Sequence, residues 1–268
     1  MEIAERFQGK TLGSYNLGGY LGFTGSAHAF KLLESLEGMT CDAFLLSNGK
    51  DGNYNFSETF ILKASALINL KHQSIVSVYD CGVDHKFPYL IMEHVDGPTL
   101  LDMINGAKHK MVRIPINATV FIISSVAAGL AHAHKLEIIH GNLNSKNILL
   151  EETGLVRVSD FGFSYLVTQD KEFSKGEYNL PYFNNLSLHK QKLKDIFNLG
   201  VIFYELLTGE KPHPSIPTLF QGKNPLTTHI KPPTSLVPEI PARVEDVVLR
   251  AISPDPKDRY QTIERFVN

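Results

Sequence analysis

A group of polar residues in the middle of the chain could take part in chemistry. It contains His140, Asn142, Asn144 and Asn147, and a carboxylate, Asp160, follows thirteen residues after Asn147. An asparagine amide donates and accepts hydrogen bonds, but it is no base at neutral pH. The stretch therefore offers groups that can bind a ligand, while residue 142 offers nothing that could accept a proton.

The order and spacing of these residues resemble the catalytic loop of the protein kinase family, H-R-D-L-K-x-x-N, followed by D-F-G. The resemblance implies that Asn147 and Asp160 are the two ligands of Mg²⁺. It also implies that Asn142 replaces the catalytic aspartate and that Asn144 replaces a lysine close to the transferred phosphate. Gly141 replaces an arginine that would hold a phosphorylated activation loop.

A glycine-rich stretch at 21–30 resembles the kinase loop whose backbone N–H groups cover the phosphates of ATP. Gly22 and Gly25 keep this loop pliable, because glycine lacks a Cβ and allows close approach to phosphate. Thr24 and Ala27 replace the second and third glycines of the family pattern. Taken alone, a hairpin turn explains the stretch equally well; its position ahead of the catalytic loop favours the kinase interpretation.

The strand at 41–46 resembles the kinase strand that ends in a lysine for the α and β phosphates. With Ala43 as the motif alanine, the lysine position is Leu45. The register could shift by one residue, but there is no Lys or Arg between Lys31 and Lys50. The lysine is therefore absent in either register.

The helix that follows should carry the glutamate partner of this lysine, and the resemblance places Lys63 there. Phe60 and Leu67 recur at helical spacing and mark a buried stripe, with Lys63 on the same side. The family's ion pair cannot form between Leu45 and Lys63. Two alternatives remain for Lys63. Its ammonium reaches solvent along its aliphatic stem, or it points inward and reaches either Asp160, which it would neutralise, or a bound phosphate.

The segment 88–100 resembles a kinase hinge. Met92 would be the gatekeeper residue, and Glu93 and Val95 would offer backbone groups to adenine. Three apolar positions would enclose the adenine ring: Ala29, Ala43 and Leu149.

The second half of the chain is predicted to be helical. A long apolar stretch at 116–136 predicts a helix, on which His132 and His134 point to different faces and are poor joint metal ligands. The stretch 195–209 is apolar nearly all round, which predicts a buried central helix. In the resemblance, Asp195 anchors the backbone of the catalytic loop.

These features predict an α+β, bilobal protein kinase-like fold, with a small β-rich N-lobe containing one main helix and a larger helical C-lobe. The predicted N-lobe is 1–93, the hinge is 94–97 and the C-lobe is 98–268. The predicted unit is a single domain, of the bacterial serine/threonine type, and part of a longer protein.

Composition excludes several classes of function. Net charge is −2 with no long basic run, which argues against a nucleic-acid partner. The 2 cysteines provide no disulfide framework and suit a reducing compartment. No run of eighteen apolar residues occurs, so no membrane span is expected and the predicted location is cytoplasmic.

The missing catalytic groups predict a pseudokinase that serves as a regulatory or scaffold binding module for a protein partner, such as an active kinase or another signalling protein. An atypical, weakly active serine/threonine kinase using Mg²⁺·ATP is the alternative, and transfer of AMP to protein is a more distant one. Binding of ATP with Mg²⁺ stays open: Asn147 and Asp160 favour it, and the missing lysine and Thr24 oppose it.

Overall fold

The structure, a computed structural model, describes residues 3–24, 27–36, 38–46, 59–85, 87–163, 166, 187–212 and 230–267. Its first part is a six-stranded antiparallel sheet with the strand order β1-β2-β3-β4-β6-β5. The strands are β1 (Thr11–Leu12), β2 (Tyr15–Phe23), β3 (Ala27–Leu32), β4 (Cys41–Leu46), β5 (Val78–Asp84) and β6 (Phe87–Glu93). Two helices accompany this sheet, α1 (Ile3–Phe7) and α2 (Thr59–Ile68).

Both faces of the sheet are covered, and a different cluster of side chains lies on each. The outer face packs Phe7 of α1 against Phe30 and Phe87. The inner face packs Leu46 and Leu90 against the buried side of α2. A strand with apolar neighbours on both faces has no polar side, and every residue of β4 except the half-buried residue 44 is accordingly buried.

The second part of the chain is helical, with one short hairpin. Its helices are α3 (Leu100–His109), α4 (Ile116–Lys135), α5 (Leu188–Thr208), α6 (Pro233–Leu236), α7 (Ala242–Ala251) and α8 (Ile263–Val267). The hairpin joins β7 (Ile148–Leu150) to β8 (Val156–Val158) and follows a 3₁₀ turn at Ser145–Asn147. The α+β prediction, with a β-rich lobe and a helical lobe, is confirmed.

Helix α5 is the centre of the helical lobe. It is buried from Leu193 to Leu207, as its apolar sequence predicted. A Cβ on Gly200 would lie 2.7 Å from the Cβ of Ala251, so glycine is what allows α7 to approach this closely. The helix ends at Gly209, whose φ of 75° is the left-handed conformation that glycine adopts most readily.

Helix α4 is long and apolar enough to cross a membrane by length and composition alone. It packs against α5, α8 and β8, and Val126, Ala127 and Leu130 are fully buried in the core of the lobe. Burial in that core accounts for the apolar composition of α4.

The two lobes meet at the β7–β8 hairpin. Val158 is hydrogen-bonded to both Ser74 and Val76, which precede β5. On the other side, Gly97 has a φ of 150°, and a Cβ there would lie 2.1 Å from the carbonyl oxygen of Leu150. Glycine at 97 is therefore required where the connection between the lobes passes over β7. The proposed boundaries at 93 and 97 stay a prediction.

Candidate functional site

The backbone of the loop at 140–147 is held by a carboxylate from α5. Asp195 accepts hydrogen bonds from the amides of His140 and Gly141, each at 2.9 Å, and from Nε2 of His134 at 2.9 Å. Burial alone would raise the pKa of Asp195, but these hydrogen bonds and the nearby imidazoles hold it below its usual value. The predicted anchoring by Asp195 is confirmed, and His134 has a structural contact.

Lys194, beside this anchor, also contacts the loop. Its Nζ donates to the carbonyl oxygen of Gly141 at 2.8 Å, and burial lowers its pKa to about 8. Gly141 itself has a φ of 80°, which a side-chain-bearing residue adopts only with strain. Both the amide and the carbonyl of Gly141 are therefore hydrogen-bonded to side chains of α5.

The amide of Asn144 is used by its own loop. Its Nδ2 donates to the carbonyl of Asn142 at 2.9 Å, and its Oδ1 accepts from the amide of Lys146 at 2.9 Å. This arrangement caps the 3₁₀ turn. Asn144 is therefore a neutral cap at the position where the kinase pattern has a lysine. The side chain of Asn142 is half-buried.

Asn147 and Asp160 lie at adjacent ends of the β7–β8 hairpin. The amide of Ser159 donates to the carbonyl of Asn147 at 2.9 Å, which places the two predicted ligands next to each other along the chain path. Both residues are buried. Asp160 has a φ of 62°, an unusual conformation outside glycine that often marks functional positions.

Burial raises the pKa of Asp160 to about 6, against a hydrogen bond from Ser159 that lowers it. No cation within the described residues pairs with this carboxylate. A carboxylate and an amide oxygen are hard donors of the kind that Mg²⁺ prefers. Asn147 and Asp160 therefore fit the ion that the resemblance assigns to them, and their metal binding stays a prediction.

The residues around Asp160 are packed as a continuous stack. The rings of His140 and Phe161 are 4.9 Å apart, and Leu67 of α2 lies against Gly162. Burial lowers the pKa of His140, and neither ring nitrogen bonds to a described residue. Here His140 serves as packing surface.

Strand β4 differs from its predicted register by one residue. Ala43 and Leu45 lie on the outer face with Phe7, whereas Phe44 lies on the inner face, 6.3 Å from Phe163. A lysine that pairs with α2 must project from the inner face, so its position is Phe44 and not Leu45. Because side chains alternate along a strand, a shift of one residue exchanges the faces.

The same correction moves the motif alanine from Ala43 to Asp42. Asp42 is paired with Met92 across the sheet, and residues paired directly across two antiparallel strands point to the same face. The prediction that no lysine occupies this strand holds in the observed register.

Of the alternatives for Lys63, the structure supports the one in which its ammonium reaches solvent. Phe60, Ala64 and Leu67 form the buried stripe of α2, and Lys63 is exposed at its edge. A four-carbon stem carries the ammonium to solvent from such a position. Lys63 makes no ion pair with the buried Asp160, which removes the suggested neutralisation of that carboxylate.

The predicted adenine contacts are partly assembled. Met92 is 1% exposed, and Val95 and Leu149 pack against the same inner cluster. The amide of Glu93 donates to the carbonyl of Ser77, so only the carbonyl of Glu93 is available at this position. The Glu93 side chain points to the far side, where it pairs with Arg157.

Ala43, in β4, lies on the outer face of the sheet and cannot be an adenine contact. The other predicted contacts lie in or next to β2 and β3. Ala29 is buried and paired with Phe44 on the inner face. Gly22 has a φ of 131°, and a Cβ there would meet no atom within 4 Å. Gly25 lies outside the described residues. The roles of these residues in nucleotide binding stay predictions.

Sequence reasoning missed a hydrogen-bonded group at the hinge. Asp42 Oδ2 is 2.6 Å from Nδ1 of His94, and Nε2 of His94 is 3.0 Å from Oδ1 of Asp96. Burial alone would lower the pKa of His94, but the two carboxylates raise it above its usual value. An aspartate inside an otherwise apolar strand was the available signal.

The fold and the cleft define a two-lobed protein of the kinase type, and comparisons with known proteins agree. The model of the protein kinase domain matches residues 37–268. The chain belongs to the protein kinase family.

Two relatives are bacterial serine/threonine-protein kinases. The chain is 30% identical over 236 residues to a probable serine/threonine-protein kinase of Clostridium perfringens, covering 83% of this chain and 33% of that protein. It is 30% identical over 224 residues to serine/threonine-protein kinase PrkC of Bacillus subtilis, covering 78% and 32%. The chain therefore spans about a third of the length of these curated relatives.

A solved structure supports the fold. The kinase domain of Mycobacterium tuberculosis PknI aligns with a TM-score of 0.74 at 20% identity, covering 97% of this chain and 96% of that one. At this identity the likeness concerns the fold alone.

Proposed function

We propose that this chain is a kinase-like regulatory module whose phosphotransfer activity is absent or severely impaired. The observation that carries the proposal is the state of the catalytic loop: residue 142 is an amide, and the amide of Asn144 is hydrogen-bonded within the loop at both ends. Neither group can accept the proton of a substrate hydroxyl or stabilise charge on a transferred phosphate as a cation would.

The expected loss of rate is large. Loss of general-base catalysis lowers a rate by about 10²- to 10⁴-fold. Loss of a charge-stabilising group lowers it by about 10²-fold or more, and the cations at 44 and 144 are both missing. Such effects do not simply multiply, but each acts in the same direction.

A second candidate is an atypical serine/threonine kinase that uses Mg²⁺·ATP. The conformation of Asp160, the stack of Phe161 on His140 and the anchoring of the loop by Asp195 all support an assembled cleft. The bacterial relatives also carry the names of serine/threonine-protein kinases. In this case Asn147 and Asp160 would hold the ion, which would neutralise charge on the phosphates.

A module of this kind acts through a protein partner, such as an active kinase or another signalling protein. Helix α2 offers a surface for one: Ile61 is 41% exposed and Leu62 is 75% exposed, next to the exposed Lys63. A cytoplasmic location completes this proposal.

Radiolabelled ATP tests the proposal directly. The protein is incubated with Mg²⁺, a generic protein substrate and ATP labelled at either the γ or the α phosphate. We expect neither label to enter protein, and Asp160→Asn to behave in the same way as the wild type. Incorporation of γ label that Asp160→Asn abolishes would establish the kinase alternative and overturn the proposal. Incorporation of α label would establish AMP transfer instead.

A further inference from the structure

The hydrogen-bonded group at the hinge has a defined place in the cleft. Asp42 is on the inner face of β4, opposite Met92 of β6. Met92, Val95 and Leu149 belong to the cluster on that face. Asp42 therefore stands above the position where the resemblance places the adenine ring, at the point where the family has a small alanine.

The side chain at this position is poorly suited to cover a purine. Asp42 is 6% exposed, and its carboxylate is larger than the methyl group of alanine. A purine would therefore have less space below Asp42 than below an alanine.

His94 is held next to Asp42. Its ring is bound at both nitrogens, by Asp42 at 2.6 Å and by Asp96 at 3.0 Å. Its backbone amide donates to the carbonyl of Thr40 at 3.0 Å. With the backbone and both ring nitrogens fixed, the imidazole has little freedom to turn away.

The second carboxylate oxygen gives a further indication. Oδ1 of Asp42 is buried and bonds to no described residue. Leaving a buried acceptor without a partner is unfavourable for folding. The bond to His94 accounts for Oδ2 of Asp42, and no bond within the described residues accounts for Oδ1.

We propose that the pair Asp42–His94, which we term the clasp, closes the base site of the cleft and sets its affinity for adenine compounds. The proposal rests on the kinase-like cleft of the proposed function. In this proposal the affinity for adenine compounds is limited by the residues above the base site, and not by the absence of the phosphate-binding lysine.

Adenosine is a suitable probe, because it has no phosphates and its binding depends on neither the ion nor the lysine. Binding is measured by titration calorimetry for the wild type, Asp42→Ala and His94→Ala. We expect no saturable binding by the wild type at millimolar adenosine and at least tenfold tighter binding by both variants. Asp246→Ala, which removes an exposed aspartate on α7, is the matched control and should behave as the wild type.

Each of three outcomes would overturn the clasp: micromolar binding by the wild type, no gain in either folded variant, or a gain in Asp42→Ala alone. The last outcome would assign the effect to the carboxylate by itself. Thermal unfolding establishes that each variant is folded, and Asp42→Ser replaces Asp42→Ala if the latter is not.

The two proposals fail separately. Tight adenosine binding by the wild type without phosphate transfer would overturn the clasp and leave the proposed function standing. Incorporation of γ label would overturn the proposed function whatever the adenosine titrations show.

Discussion

The catalytic loop at 140–147 forms the floor of the cleft and strand β4 forms its roof. The two differ from the kinase pattern in different ways. Below the cleft, Asp195 and Lys194 hold the backbone of the catalytic loop, and His134 is hydrogen-bonded to Asp195. Asn142 and Asn144, which the loop presents, are neutral. Above it, Phe44 and Asp42 occupy the positions that contact nucleotide in the family. The floor has its anchoring hydrogen bonds while the loop presents amides, and the roof carries an aromatic ring and a carboxylate.

The difference follows from the number of hydrogen-bond partners that each residue has. An anchor such as Asp195 has several partners that all lose a hydrogen bond if it changes, so folding preserves it independently of catalysis. A residue that faces an open cleft has few partners in the protein, and folding tolerates its replacement. A group that binds substrate can therefore be lost while the scaffold beneath it persists.

Replacement of the floor anchor should have the largest effect on stability. Asp195→Ala leaves two amides and a buried imidazole without their acceptor, and we expect a loss of about 3–5 kcal/mol in the free energy of unfolding. Urea denaturation measures this loss. Asp246→Ala is the control and should change the free energy by less than about 0.5 kcal/mol. A loss for Asp195→Ala of the same size as the control would remove the distinction between floor and roof.

The floor should also show a pH dependence. Folding lowers the pKa of Lys194 from 10.5 to about 8 through burial. Between these two values the unfolded chain binds more protons than the folded one, so the contribution of Lys194 to stability rises with pH across this window. We expect the free energy of unfolding of the wild type relative to Lys194→Met to rise by about 2 kcal/mol from pH 8 to 10.

Denaturation at a series of pH values measures this rise. Lys190→Met, which removes an exposed lysine on the same helix, controls for the loss of a positive charge. A difference between the wild type and Lys194→Met that stays constant with pH would contradict the assignment.

A smaller effect is expected where the loop caps itself. Asn144→Ala removes the acceptor for the amide of Lys146 and should lower the free energy of unfolding by about 1 kcal/mol. Thermal or urea denaturation is sensitive enough to detect it. The exposed Asn69→Ala is the comparison variant, and equal effects of the two substitutions would mean that the cap contributes nothing.

The smallest effect is expected on α2. Lys63 is exposed and has no ion-pair partner among the described residues, so Lys63→Ala should change the free energy of unfolding by less than about 0.5 kcal/mol. Binding of Mg²⁺ should also be unchanged. A large loss of stability would mean that Lys63 makes a contact that its exposed position does not provide.

The sequence predicted the floor better than the roof. Helix α5 is apolar nearly all round, so both its existence and its burial follow from the pattern, and Gly209 marks its end. Strand β4 is covered on both faces and shows no alternation, so its apolar residues carried no information about which of them faces inward. The register became visible only through the pairing of Asp42 with Met92, which depends on a distant strand.

For α2, the sequence predicted the buried stripe but did not decide the direction of Lys63. Its buried stripe of Phe60, Ala64 and Leu67 has helical spacing, and the structure shows all three buried. Lys63 lies at the border of that stripe, where helical spacing does not decide between an inward and an outward side chain. In the structure Lys63 is exposed, because its long aliphatic stem allows the ammonium to reach solvent.

Helix α1 covers the outer face of the sheet, and this has a consequence for expression of the protein. Phe7 is 5% exposed and lies between Phe30 and Phe87, with the guanidinium of Arg6 over the ring of Phe87. A chain trimmed to begin at Lys10 would lack Phe7 and would expose the rings of Phe30 and Phe87 to water. Expression trials that start downstream of α1 should therefore yield aggregates, and those that keep it should yield dispersed protein.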